Sequence, residues 1–534
     1  MKIYKFALGL SISALTLGSC TDNFEELNTQ PDALIASNVN AGLLGQAYAN
    51  AQARAMYGAP GGSTDGFQIA QSLFADLYAQ YFATTQVNFD SDRYTQVGNW
   101  SNSAWNYYYA QAAPVIKFVE DFSAENNLPV ENALAKIWKV QGYHRITDYW
   151  GPIIYSGFGS GETSIPYDTQ ESVYKDFFVQ LDQAVTVLKQ NPGASAFVGH
   201  DQIYGGSADK WLTFANSLRL RLAMRVKYVD PALARAEAEK AIADGVMETN
   251  EDEAMIATTI NSRNPYWIIT DWGEFRMSAL MESVLTGYED PRVGIYFSPT
   301  VNFQTTGEGK PYRGLRNGLA KAEIDGPALN PSHSDMGTIF VNQGRGGSAA
   351  GEPIRVMSTA EVYFLRAEGA LEGWNMGGSA QEFYNKGIEM SMTEERVGAT
   401  MAEVQAYQAS MNTPVALNDK WNTPPSSDIP VAYLTGGSKE KQLEQIITQK
   451  WIALYPDGWE VWAELRRTNY PKYYPRLNSD NPDVAADEIM SRLVFVQGEY
   501  SNNAEAVTAA AQLPELTERG GNTNGTPLWW DAKP

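Results

Sequence analysis

Two stretches of this chain set aromatic rings beside amide and carboxylate side chains, away from any amphipathic helix. In the polar loop 84–102, Phe89, Asp90, Tyr94, Asn99 and Trp100 precede a helix. Further on, Asn264 is followed by Tyr266, Trp267, Asp271 and Trp272 in an irregular stretch. The C–H faces of a sugar lie flat on aromatic rings, and its hydroxyls need planar polar partners. Peptide ligands also use aromatic walls with polar anchors. Phe89, Asp90, Tyr94, Asn99, Trp100, Tyr266, Trp267, Asp271 and Trp272 are therefore the candidate ligand contacts. The competing expectation is that each ring packs beneath its neighbouring loop.

Residue types that would do covalent or metal chemistry are scarce. There are three histidines, His144, His200 and His333. His144 and Asp148 stand at i, i+4 on one helix, a spacing that can hold a metal. No second His or acid follows at ligand spacing, so no metal is expected there. Neither a G-x-S-x-G elbow nor a phosphate-binding P-loop occurs. Gly344-Arg345-Gly346-Gly347 lacks a strand–helix frame and reads as a turn. Asp480, Asp483, Asp487 and Glu488 lack the spacing and glycine of a calcium loop. No catalytic residue and no cofactor is expected.

The single cysteine, Cys20, has a different context. Lys2 and Lys5 form a positive start, and Phe6 to Leu17 is an apolar run too short to span a bilayer. Leu17-Gly18-Ser19-Cys20 then resembles the lipobox of bacterial lipoproteins. That resemblance implies a signal peptide over 1–19 and lipidation of Cys20. Three acyl chains at about 0.8 kcal/mol per buried methylene anchor effectively permanently. A cleaved signal with an incidental Cys is the weaker alternative, because a structural Cys would need a partner. Residues 20–40 read as a flexible polar tether. The acids after Cys20 fit either ordinary tether polarity or a signal for the outer face of an outer membrane.

The remaining composition bounds the function. The formal charge is −22 and becomes two units more negative once Lys2 and Lys5 are removed. An acidic body argues against nucleic acid and against adhesion to anionic lipid headgroups. Aromatics are 12% of the chain, mostly core by expectation. No apolar run of spanning length follows the signal.

Elements that would position these residues are mainly helical. Apolar spacing predicts helices over 41–55, 68–82, 103–122, 131–148, 170–188, 209–228 and 231–244. It predicts more over 358–372, 380–392, 401–410 and 439–467. They come in pairs with short breaks, as in an array of helical hairpins, although the TPR consensus itself is absent. Two loop-rich insertions, near 249–351 and 413–437, interrupt the rhythm, with helical spacing in the first confined to 277–285. Residues 41–534 are expected to form one domain. The final Leu528-Trp529-Trp530-Asp531 is expected to dock into the body.

Several segments, taken in order, resemble the SusD/RagB family of nutrient-binding outer-membrane lipoproteins, closest to its SusD-like branch of unassigned ligand. Phe24-Glu25-Glu26-Leu27-Asn28 resembles that branch's tether. Asp148-Tyr149-Trp150-Gly151 through Tyr155 is similar to its D-x-x-G-x-x-P-Y turn, with Ile154 where the family usually has Pro. Asp201 to Arg225 resembles a signature helix and its lead-in. Asp290-Pro291-Arg292, Glu361 with Phe364-Leu365 and Ala367-Glu368, and Gln449-Lys450-Trp451 through Tyr455 fit as well. So do Trp459-Glu460, Trp462, Arg466-Arg467 and the terminal Trp pair. Arg219, Arg221 and Arg225 share a helix with leucines and are expected to pair with carboxylates between helices.

The resemblance implies an all-α, TPR-like helical-hairpin scaffold with irregular insertions forming a ligand face. It implies no catalysis. It implies a partner, a SusC-like TonB-dependent β-barrel transporter in the outer membrane, and an oligosaccharide or oligopeptide ligand handed to it. Family members with glycan ligands often use aromatics of the region 84–102. The rival expectations are a lipid-anchored, helical-toroid glycan-degrading enzyme and a structural adhesin.

Overall fold

The computed structural model describes residues 39–58, 64–340 and 352–534. Cys20, the tether as far as residue 38 and Gly344–Gly347 lie outside the described residues.

The main helices are α1 (Ala41–Ala55), α2 (64–78), α3 (98–125), α4 (Pro129–Trp150), α5 (Gln170–Gln190), α6 (Ala208–Arg225) and α7 (Pro231–Asp244). They continue as α8 (Ala279–Gly287), α9 (Thr359–Leu371), α10 (Ala380–Thr393), α11 (Met401–Gln408), α12 (Lys439–Ala453) and α13 (Gly458–Thr468). Their starts are written locally. From α5 to α13, each begins on a Ser, Thr or Asp whose side chain accepts a backbone N–H of the first turn. Ser379 with Glu382, and Thr400 with Glu403, close reciprocal capping boxes.

Consecutive helices pack on one another, α3 on α4, α4 on α5, α5 on α6 and α6 on α7. The second half repeats this with α9 on α10 and α12, and α6 meets α9 to join the halves. This is the all-α array of helical pairs that the spacing and the resemblance imply. Helices α4 and α6 lie at its centre, and from Val140 to Trp150 and from Phe214 to Arg225 every residue is buried. Strands are short. β1 (Phe82–Thr84) pairs antiparallel with β3 (Phe275–Met277), and β2 (Ala254–Ile256) with β4 (Ile354–Met357).

Several expected boundaries move, two of them for a plain local reason. The helix expected over 68–82 starts earlier and stops at Tyr78, because the chain turns through Gln80 at φ +55° and enters β1. The single helix expected over 439–467 is two. Pro456 has no N–H for the helical ladder, and Asp457 caps a fresh start by accepting from Glu460 N.

The buried arginines take the roles expected of them. Arg221 grips Glu361 through two bonds of 2.7 and 2.6 Å. Arg225 bonds Glu460 and Glu464, and Arg219 pairs with Asp182 and Glu237. Arg292 grips Asp290 at 2.9 and 2.6 Å and also reaches Gln449 at 3.1 Å. Arg467 holds Glu368 through two 2.7 Å bonds. Burial raises the Glu368 carboxyl, but Arg467 and Lys227 outweigh it and hold it at about 2. A buried charge survives only when paired and hydrogen-bonded, and this network supplies both.

Candidate functional site

Hydrogen bonds between β1 and β3 bring the two aromatic stretches of the sequence together. Thr85 N donates to the Glu274 carbonyl at 2.9 Å, and Thr85 Oγ1 donates to the Gly273 carbonyl, also at 2.9 Å. The loop carrying Val87 and Phe89 therefore runs beside the turn carrying Trp272. Gly273 makes this turn possible. Its φ is +66°, and a Cβ there would sit 3.2 Å from Asn330 Nδ2, which donates to the Gly273 carbonyl.

A half-exposed aromatic ridge results. Phe89 meets Trp100 edge to face at 5.7 Å between ring centroids and leans on Phe275 at 5.6 Å. Phe275 is buried and props the ridge from below. Phe89 and Trp100 are partly exposed, while Trp272 at 40% and Val87 at 39% reach solvent. Asn88, Asn99 and Asp271, neighbours of these rings in the chain, are exposed. Glu274 accepts from Gln68 Nε2 at 2.6 Å, and burial raises its carboxyl pKa. Rings that offer a face, bordered by amides and a carboxylate, can stack a flat apolar ring face and bond the groups at its rim.

Four of the nine sequence-derived candidates are held inside or spent on the protein. Tyr94 is buried under the Arg476 guanidinium, 3.8 Å from its ring centroid, and its hydroxyl donates to the Glu488 carbonyl. Tyr266 is buried, and its hydroxyl donates to Asp76 Oδ2 at 2.6 Å. Trp267 is buried with Arg263 over its ring at 5.0 Å. Asp90 pairs with Arg93 and with Lys321 at 2.9 Å. The expectation that Tyr94, Tyr266 and Trp267 face a ligand is corrected by their burial. Phe89, Asn99, Trp100, Asp271 and Trp272 stay partly or fully exposed. Sequence reasoning missed Val87 and Phe275. Phe275 and Met277 share one face of a three-residue strand, a period-two signal too short to stand out.

The other sequence-level clusters resolve as structure. His144 Nδ1 lies 3.2 Å from the Val140 carbonyl. Burial, then Arg221, Arg145 and Arg225, push its pKa well below the ordinary value. Asp148 turns instead to Tyr174 and Trp530. Among the described residues no group of His, Cys, Asp and Glu could hold a metal ion, and no helix is long and apolar enough to cross a membrane.

A family model described as SusD-like, Susd and RagB outer membrane lipoprotein, matches residues 26–531. The chain belongs to the SusD-like family. SusD-like proteins are binding proteins, not enzymes, which removes the glycan-degrading alternative. A chitin-binding SusD homolog from Flavobacterium johnsoniae is 36% identical, with a TM-score of 0.82 over 92% of this chain and 99% of that one. A susD homolog from Bacteroides thetaiotaomicron is 32% identical, with a TM-score of 0.82 over 92% and 99%. One from Bacteroides vulgatus is 33% identical, with a TM-score of 0.79 over 91% and 97%. No curated protein matches.

Proposed function

We propose that this SusD-like chain is a cell-surface lipoprotein that binds oligosaccharides at the Phe89–Trp100–Trp272 ridge and delivers them to a SusC-like TonB-dependent transporter. The observation that carries the ligand class is the ridge itself. It offers partly exposed rings with amide and carboxylate neighbours in the chain, and the backing of Phe89 by Phe275 holds that ring before a ligand arrives. The 36% identical chitin-binding homolog supports a glycan over an oligopeptide.

A lipid on Cys20 would keep the body at the outer membrane, facing outward, within reach of a transporter. Transfer then needs binding weak enough to release. Open stacking on a ridge meets that requirement better than full enclosure does, because little of the ligand must be desolvated.

Two experiments test this reading. Purified protein incubated with a glycan panel should bind without turnover, and hydrolysis by the intact protein would overturn it. Extraction of the native membrane in mild detergent should co-purify a large β-barrel. Recovery of the lipoprotein alone under conditions that preserve other membrane complexes would contradict delivery to a transporter. Binding to soluble oligomers also separates this reading from a structural adhesin, which needs none.

A further inference from the structure

A second recess neighbours the ridge. Segments 309–333 and 417–421 enclose a cavity of about 390 Å³, within the roughly 300–1,000 Å³ typical of small-molecule sites. Segment 319–333 borders both the cavity and the ridge. Lys321 pairs with Asp90, next to Phe89, and Asn330 bonds the Gly273 carbonyl, next to Trp272. The cavity is lined by Leu319 and Leu329 from the same segment.

Its chemistry is specific. The floor is apolar, with Leu315 and Leu319 buried and Leu329 and Trp421 packed against them. His333 places Nδ1 2.9 Å from the Leu329 carbonyl. A carbonyl only accepts, so Nδ1 carries the hydrogen and Nε2 is the lone-pair side. Burial holds the ring neutral, with a pKa lowered to about 4. Arg313 lies beside it, because its backbone pairs with that of Ser334. The Arg313 side chain is exposed and makes no hydrogen bond or ion pair with the described residues. The other charges at the cavity are engaged. Lys310 pairs with Glu282 at 3.2 Å and Lys420 with Glu323 at 2.8 Å, while Asp419 caps the turn through Trp421 and Thr423. What remains on offer is an apolar floor, one neutral acceptor, the exposed Asn418 amide and one guanidinium at the rim.

We infer that this cavity takes the acetamido group of an N-acetylated sugar, with its methyl on the leucine and Trp421 floor, its N–H toward His333 Nε2 and its carbonyl toward Arg313. The assignment rests on the carbohydrate reading above and narrows it to a substrate class. In a trans amide the methyl and the N–H lie on one side and the carbonyl lies on the other. That polarity matches a cavity whose acceptor is buried with the floor and whose donor stands at the rim. A plain hydroxyl would leave the floor unfilled.

Calorimetry with β-1,4-linked oligomers of N-acetylglucosamine and of glucose, matched in length, tests it. Wild-type protein binds the acetylated oligomer about tenfold tighter, the scale of one charge-assisted hydrogen bond. Arg313→Ala, at an exposed position, loses that tenfold for the acetylated oligomer and leaves the glucose oligomer unchanged, as does His333→Leu. Equal affinity for the two oligomers, or a preference that survives Arg313→Ala, overturns the acetamido site while the carbohydrate reading stands. Failure of both oligomers and of the wider glycan panel to bind overturns both.

Discussion

Asp148 Oδ1 accepts two hydrogen bonds from distant parts of the chain, one from Tyr174 Oη at 2.5 Å and one from Trp530 Nε1 at 2.8 Å. The last residues of the chain are thereby clasped to the end of α4. Burial raises the Asp148 carboxyl pKa, and Arg225 offsets only part of that rise. Next to it Gly151 adopts φ +79°, and a Cβ there would sit 3.1 Å from Leu528 Cδ2. The turn and the tail fit only with each other.

The clasp makes a first prediction. Trp530→Ala removes a fully buried indole and leaves an Asp148 lone pair unmet. A cost of about 3–5 kcal/mol follows for a buried Trp, read as a lowered denaturant midpoint. Trp529→Ala, at a half-buried position, costs less. Equal, small effects would contradict the docked tail.

The buried ion pairs make a second. Arg221→Met strands Glu361 in the interior, with Lys450 as its nearest other cation at 3.9 Å. Breaking such a pair costs about 3–5 kcal/mol, whereas replacing both partners with apolar residues is close to neutral. Arg221→Met with Glu361→Leu should therefore recover most of the loss in equilibrium unfolding. A double variant as unstable as the single one would mean that the pair does more than satisfy itself.

Asp76 gives a pH dependence. Burial raises its pKa from 3.8 to about 7, against the lowering by Tyr266 and Gln71. The folded state then holds a proton that the unfolded state has lost. This stability is full below pH 3.8 and is lost as pH rises through 7, by at most about 4 kcal/mol at about 1.4 kcal/mol per unit. Asp76→Asn cannot titrate, so its stability relative to wild type should climb between pH 4 and pH 8. A difference independent of pH would show that Asp76 is ionised throughout.

Much of the scaffold was legible because its determinants are local. Ser207 before α6 and Ser379 with Glu382 before α10 announce helices within a few residues, and the apolar spacing of α5 names its own buried face. The carboxylate partners of Arg219, Arg221 and Arg225 were legible in kind, because a guanidinium between leucines must find an acid. Pro456 and Asp457 carried the break between α12 and α13, but apolar spacing on both sides ran through it. The site was less legible. Whether Tyr266 faces out depends on Asp76, 190 positions away, which takes its hydroxyl. The cavity beside the ridge joins residues from 309–333 and 417–421 that share no period, and only the folded chain sets His333 beside Arg313.

The central claim is that ring faces on this ridge hold a sugar, and calorimetric titration of an oligosaccharide into wild-type protein and a Trp100→Ala/Trp272→Ala variant tests it most directly. Both positions are partly exposed, so the variant should keep the wild-type denaturation midpoint. Wild-type protein should bind measurably, and the folded variant should lose at least tenfold, about 1.4 kcal/mol. Undiminished affinity in that variant would place the ligand elsewhere and contradict the account.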